Sequence, residues 1–370
     1  MIAFVVGTRP ELIKIAPVVK ALERRGAPLS IVHTGQHYSY ELDAIFFEEL
    51  GLPRPFANLE VGSSGPAQQL GTIIIRSAEV LAKLQPRWVL VQGDTNSVLG
   101  GALASFKLGF PIAHLEAGLR SDDWDMPEEA NRVLAGRVAA LHLCPTAGQV
   151  ERLRRENIVR GVHVVGNTVV DAAIMNSERS RERSRVIERL GLAGKRYGLV
   201  TLHRPSNVDS EERLTAVLRA LGAVARHHDM SLVFPTHPRT RATIARMAGG
   251  ERFSQPPFIS TDPVGYLDFL RLLTDAQLTL TDSGGVQEEA CTLRVPCVTL
   301  RANTERPETV EVGANVLCDS TVPGVLEAAV ETMLARPRTW SNPFGDGHAG
   351  ERVADLLLDP ATRRVPSGAP

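Results

Sequence analysis

Residues 278–290, LTLTDSGGVQEEA, run from a strand through a glycine turn into a helix start. Leu278 to Thr281 alternate as a buried strand does, Gly284 and Gly285 clear side chains from the turn, and Val286 to Ala290 open a helix. Backbone N–H groups at such a helix start, with the Ser283 hydroxyl beside them, form a seat for a phosphate. Glu288 and Glu289 follow one turn later, beyond the anion but within reach of sugar hydroxyls. A diphosphate on the turn with a ribose on a carboxylate is the chemistry of nucleotide-sugar binding. The same residues also suit a plain helix start with close-packing glycines and two solvated glutamates.

Other reactive residues fall at the ends of apolar runs. Gly7-Thr8-Arg9-Pro10-Glu11 leaves the first run, with Lys14 one turn on, so Arg9 and Lys14 are candidate anion partners. An ordinary Glu11–Lys14 surface pair is the alternative there. Asp94 follows Trp88–Val91 and either caps the next helix or does chemistry. Glu116 ends a buried run, where an unpartnered carboxylate is costly, so it needs a partner or a task. Glu128 opens a helix within MPEEANR, where dipole compensation and an ion pair to Arg132 would also account for the acids. Asp94, Glu116 and Glu128 are nevertheless three carboxylates that one sheet rim can gather for proton transfer. His203 and Arg204 leave a later run as acid, base or phosphate donors, and His237-Pro238-Arg239 repeats the idea one run on. Arg301 and Arg306 follow Val295–Leu300, and Gln36, His37 and Tyr38 follow the second run.

Positioning these residues takes strands and helices in alternation. Runs at Ile2–Val6, Ser30–His33, Trp88–Val91, Pro111–Leu115, Leu141–Cys144 and His163–Val165 form one series. Tyr197–Thr201, Leu232–Phe234, Phe258–Ser260, Gln277–Leu280, Val295–Leu300 and Asn315–Cys318 form a second. Helical patterns between them predict parallel sheets covered on both faces, an α/β fold of two doubly wound Rossmann-like domains, 1–171 and 172–349. The boundary falls near Val170 to Ala173, and the mixed-charge run 176–190 reads as a solvated helix beside it. Ligands of open α/β sheets bind outside the carboxyl ends of the strands, so two sheets facing each other would gather these residues in one cleft. A last helix is expected at Glu351 to Leu358, followed by a loose tail, Asp359 to Pro370.

With 370 residues and a formal net charge of −1, the chain offers no basic field for nucleic acid or anionic lipid. No run is long enough to span a bilayer, and the N-terminus reads as a strand rather than a signal peptide, which makes the cytoplasm the default location. The four cysteines lack metal spacing and read as core residues. His227 and His228 end a helix and read as solvent-exposed. No GxGxxG follows the first strand, and no GxxxxGK[ST], GxSxG or zinc-like spacing occurs. The chemistry therefore calls for no cofactor, neither hydride carrier nor metal.

Ten segments in order, GTRPE (7–11), TGQH (34–37), GDTNS (93–97), HLEAGLRS (114–121), MPEEANR (126–132), GNTVVD (166–171), TLHRPSNVD (201–209), THPRT (236–240), TDSGGVQEEA (281–290) and TERPETVEVGAN (304–315), carry a resemblance. Together they are similar to the non-hydrolysing UDP-N-acetylglucosamine 2-epimerase family. The resemblance implies a GT-B-like pair of domains, the last helix, about 350–360, returning to the first. It implies a homodimer that interconverts UDP-N-acetylglucosamine and UDP-N-acetylmannosamine for surface polysaccharide. It assigns Asp94, Glu116, Glu128 and His203 to catalysis, and Arg9, Lys14, Ser283, Gly284, Glu289 and Arg306 to the nucleotide, which His203, Arg204 and Gly285 join by their positions after the strands. Gln36 and His37 fall near a second, regulatory UDP-N-acetylglucosamine site. One departure stands out: HRPSN replaces HRxEN, with Ser206 for the acid. It bears on the regulatory site and the exact sugar more than on the fold.

The sugar C2 hydrogen is not beside a carbonyl, so direct deprotonation is prohibitively slow. Eliminating UDP as a base takes the C2 proton, then adding UDP back, makes inversion feasible, given carboxylates at C2 and a cationic cradle for the leaving group. Alternatives are a hydrolysing 2-epimerase, a 2-epimerase for a UDP-diacetamido-uronic acid and, further off, a GT-B glycosyltransferase. Against the last, the positions eight after Glu288 and Glu289 are Pro296 and Cys297 rather than acids.

Overall fold

Stretches such as IAFVV and WVLVQ, dominated by apolar and β-branched residues, have no exposed face to offer, so they end up as central strands buried on both sides. The computed structural model describes residues 1–36, 40–319, 321–322 and 324–362. They form two compact units, one of Met1–Ala172 together with residues 344–362, the other of Ala173–Pro343.

In the first unit, β1 (Ile2–Val6), β2 (Leu29–His33), β3 (Ala57–Asn58), β4 (Trp88–Gln92), β5 (Ile112–Leu115), β6 (Leu141–Cys144) and β7 (Val162–Val164) form a parallel sheet ordered β3-β2-β1-β4-β5-β6-β7. In the second, β8 (Tyr197–Thr201), β9 (Ser231–Pro235), β10 (Phe258–Thr261), β11 (Leu278–Thr281), β12 (Cys297–Thr299) and β13 (Asn315–Leu317) are parallel in the order β10-β9-β8-β11-β12-β13. Both are doubly wound Rossmann-type sheets, as the alternating runs predicted. Each reverses direction beside its first strand, between β1 and β4 and between β8 and β11, and ligands bind at such switch points.

All twelve anticipated runs contain strands. The two-residue β3 is an addition, too short for periodicity to reveal. Alternate residues of the second sheet feed separate layers: Val200, Leu232, Leu280 and Val298 pack with Leu218 and Leu221, while Leu199, Val233 and Cys297 pack with Leu272 and Leu273. The run 176–190 is less solvated than its charge suggested. The helix Thr168–Arg183 ends within it, and Val186 and Ile187 drop into the second layer.

The last helix, Ala349–Leu358, packs on the helix Arg9–Arg24 of the first unit so closely that a Cβ at Gly350 would lie 2.7 Å from the Pro17 carbonyl carbon. Arg25 adds an ion pair to Asp355 at 2.7 Å, and the Asp171 carboxylate accepts the Gly350 amide at 2.7 Å. Of the expected loose tail, Thr362 is buried and donates to the Leu356 carbonyl, and 363–370 lie outside the described residues. The four cysteines are buried and unpaired. Among the described residues no helix is long and apolar enough to cross a membrane.

Candidate functional site

At the carboxyl rim of the first sheet, the tight turn after β1 requires Gly7, because a Cβ there would collide with the Thr34 and Ser97 hydroxyls. Glu116 directly follows β5, and its backbone takes φ +68°. That left-handed geometry costs a non-glycine residue roughly 1–2 kcal/mol and is held here by the Glu116 and Ala117 amides, both donating to the Leu143 carbonyl. The buried Glu116 side chain receives Lys14 Nζ on both oxygens, at 2.7 and 2.8 Å, with the Gln92 amide on Oε2 and Asn167 Nδ2 3.5 Å from Oε1. Lys14, read as an anion partner, is thus engaged with the carboxylate, and no Glu11–Lys14 surface pair forms, since both are buried.

Asp94 follows β4 and is gripped by the Arg132 fork, Nε at 2.9 Å and Nη2 at 2.8 Å. The helix Pro127–Val138 brings that arginine and divides the labour of its two acids. Glu129 is buried on Arg132 and the Ser121–Asp122 loop, whereas Glu128 is half-buried and makes no hydrogen bond or ion pair among the described residues. Arg9 begins the helix Arg9–Arg24 with its guanidinium 4.9 Å from the Phe46 ring centre. Gln36 is buried, its side-chain oxygen accepting from the Ser97 amide and hydroxyl, while His37 and Tyr38 lie outside the described residues. Between the strands, His114 Nε2 donates to the Gly93 carbonyl at 2.8 Å, and burial pushes its pKa down to about 4, so it stays neutral.

The second unit's rim is cationic. His203 leaves β8 with its amide and its Nδ1 both 3.1 Å from Asp282, which also receives the Arg204 amide at 3.0 Å and Asn207 Nδ2 at 3.2 Å. Burial alone would raise the Asp282 pKa, but these donors, His203 first, hold it below the usual carboxylate range. Ser283 then caps the helix Gly284–Thr292 with extended backbone, presenting the Gly284 and Gly285 amides. A methyl group at Gly284 would lie only 4.0 Å from Arg306 Cζ, so that guanidinium stands beside the helix N-terminus. Arg306 is secured by Glu288 and by the Glu305 carbonyl at 3.2 Å. Arg301 clamps Glu305 with two 2.9 Å bonds, Arg204 is 3.8 Å from it, and against the cost of burial these cations bring its pKa down to about 2. Glu289 is buried beside Tyr266.

The structure therefore brings Asp94, Glu116 and Lys14 to one rim with Glu128 on the helix beside it, and His203, Arg204, Ser283, Gly284, Gly285 and Arg306 to the other unit's rim. A family model described as UDP-N-acetylglucosamine 2-epimerase matches residues 20–358. The UDP-N-acetylglucosamine 2-epimerase of Methanocaldococcus jannaschii is 46% identical over 360 residues, 96% of this chain and 98% of that protein. The chain belongs to the UDP-N-acetylglucosamine 2-epimerase family. The crystal structure of the M. jannaschii UDP-GlcNAc 2-epimerase in complex with UDP-GlcNAc and UDP has a TM-score of 0.90, covering 96% of this chain and 99% of that one. The fold extends to the glycosyltransferase SnogD of Streptomyces nogalater, 15% identical with a TM-score of 0.54 over 97% and 95% of the two chains, a likeness of architecture alone.

For this epimerase-family chain, sequence reasoning anticipated an Arg132 ion pair with the acids of its helix, which Glu129 makes, but passed over Gln92 and Asn167 at Glu116 and, on the other rim, Asp282, which holds His203 and Arg204. Asp282 lies within the TDSGG segment, and an acid between a buried strand and a helix was a usable signal. Glu11 was read only as a surface acid. It is buried, accepts the Gly7 and Thr8 amides and the Thr95 hydroxyl, and burial raises its pKa to about 7 despite those donors. Because the folded chain holds this proton more tightly than the unfolded one, Glu11 favours folding at acidic pH and loses that contribution between about pH 4.5 and 7, a change of roughly 3 kcal/mol. Glu11→Gln should therefore flatten the fall in stability over that window, measured as urea midpoints from pH 5 to 8; an unchanged slope would rule out this ionisation. A metal finds candidate ligands, among the described residues, in His227, His228 and Glu331. His227 and His228 end the helix that leads into β9, at the amino end of the sheet, Glu331 sits on the helix Val325–Ala335, and the three take no part in either rim.

Proposed function

We propose that this chain interconverts UDP-N-acetylglucosamine and UDP-N-acetylmannosamine. A base takes the C2 proton as the anomeric C–O bond breaks, giving a glycal and UDP. Readdition of UDP, with a proton delivered to the opposite face of C2, completes the inversion. Asp94, Glu116 and Glu128 share proton transfer and orientation at C2, with Lys14 neutralising and orienting Glu116. The Ser283–Gly285 turn, Arg306, His203 and Arg204 stabilise the charge on the departing diphosphate, Glu289 takes the ribose and Arg9 adds a cation.

The observation that carries this reading is Glu116, a buried carboxylate on a left-handed backbone whose side chain is held by Lys14, from the helix after β1, by Gln92, at the end of β4, and by Asn167. A merely structural ion pair needs no left-handed glutamate. The 46% identical M. jannaschii relative, whose structure holds UDP-GlcNAc and UDP, supports the same substrate here. The proposal extends to a cytoplasmic homodimer serving surface polysaccharide synthesis.

Incubation with UDP-N-acetylglucosamine in heavy water tests it by NMR. Deuterium should enter C2 of both UDP-sugars while free UDP stays far below stoichiometric. Release of free sugar with equivalent UDP would mean hydrolysis, and an unexchanged C2 would remove the proposed reaction.

A further inference from the structure

Two adjacent acids open the helix Pro127–Val138, and the structure gives them opposite surroundings. Glu128 faces out without a partner among the described residues, in keeping with a group that meets substrate. Glu129 is 1% exposed and its carboxylate is fully engaged. One oxygen takes the Ser121 amide at 2.8 Å, the Ser121 hydroxyl at 2.9 Å and Arg132 Nη1 at 2.7 Å, and the other takes the Asp122 amide at 3.2 Å. Arg132 turns its remaining edge, Nε and Nη2, to Asp94 Oδ2. One guanidinium thus bridges two carboxylates from separate elements. Asn131, the neighbour on the same helix, donates to the Asp94 carbonyl at 2.9 Å and to Asn96 Oδ1 at 3.3 Å.

We infer that Glu129 is a positioning residue for the reaction, acting through Arg132 to fix the Asp94 carboxylate and, through the Ser121–Asp122 amides, the loop that leads from Glu116 to Glu128. An arginine fork satisfied on one side only would be free to rotate about its long side chain. Bound to Glu129 it keeps a single orientation, and a fixed fork fixes the carboxylate that it holds. Glu129 has a second effect on charge. With burial opposing its ionisation, the Ser121 and Asp122 donors and Arg132 keep it charged, so Arg132 answers two negative groups rather than neutralising Asp94 alone. The inference rests on the proposed epimerisation, in which Asp94 takes part.

Glu129→Gln tests it, with Asp94→Asn and the double variant completing a cycle. Exchange of the C2 proton in heavy water gives kcat, and calorimetry gives the affinity for UDP. Glu129→Gln should lower kcat ~10- to 100-fold, the scale of a small displacement of a reacting group, with UDP affinity held within about twofold. The double variant should be no slower than Asp94→Asn alone, because the effect of Glu129 passes through Asp94. A residue that merely supports the fold would instead lower both backgrounds by the same factor. Should Glu129→Gln not fold, Arg132→Lys keeps the charge and removes the bridge, and the same cycle applies. Unaltered kcat in the folded variant, or losses that multiply in the cycle, would overturn the assignment. Wild-type protein that exchanges no C2 proton would overturn the underlying reaction instead, so the two failures are distinct.

Discussion

Glu116→Gln is expected to lower kcat for C2 epimerisation ~10³-fold, within the range of a lost acid–base group, while UDP binds within about twofold of wild type. The amide keeps the shape of the side chain and loses its charge and basicity. The Lys14 ammonium, buried against both carboxylate oxygens, then loses its neutralising partner. Breaking such a buried pair from one side typically costs ~3–5 kcal/mol, so a lower melting temperature accompanies the loss of turnover. Lys14→Met combined with Glu116→Gln separates the two effects: stability should recover in part, and turnover should not. Turnover by Glu116→Gln within tenfold of wild type would take this carboxylate out of the proton-transfer step.

The division between what the chain reveals as text and what only the fold reveals follows a physical line. Strands such as Ile2–Val6 and Trp88–Val91 were legible because a parallel strand buried on both faces is continuously apolar, and the rim residues were legible because polar groups directly after such strands have few other places to go. Glu116 was found by that logic, since burial without a partner is costly. Its partner was not, because Lys14 reaches it across 102 positions of sequence and reads locally as a partner for a bound anion or for Glu11. Glu129 and Glu128 show the same limit at closer range. Both occupy the first turn of one helix, where the dipole favours any acid, and only the path of the Ser121–Asp122 loop decides which turns inward. Gln36 was legible as a polar residue after a strand, yet its engagement by Ser97 comes from the helix Asn96–Lys107 that follows another strand. Side-chain type announced that chemistry was present; tertiary packing decided who orients whom.

Arg306→Met is expected to produce the complementary loss. Its guanidinium stands beside the N-terminus of the helix Gly284–Thr292, adding a full positive charge to the partial one of the helix dipole. A diphosphate that leaves and returns gains most from donors already in place, and removing one such donor costs ~10²–10³ in kcat. UDP itself should bind ~10- to 100-fold more weakly if, as proposed, this group meets product as well as transition state. That drop in UDP affinity is what distinguishes the second-unit rim from Glu116 or Asp94, whose amide variants leave UDP binding nearly intact. Arg306 also answers the buried Glu288, so the single variant loses stability through an unbalanced carboxylate. Pairing it with Glu288→Gln removes that charge and should restore the melting temperature without restoring UDP affinity. Calorimetric titration of UDP into the double variant decides the matter: affinity equal to wild type would mean that Arg306 serves the fold and not the nucleotide, and the anion cradle would have to be built from the Ser283–Gly285 amides, His203 and Arg204 alone.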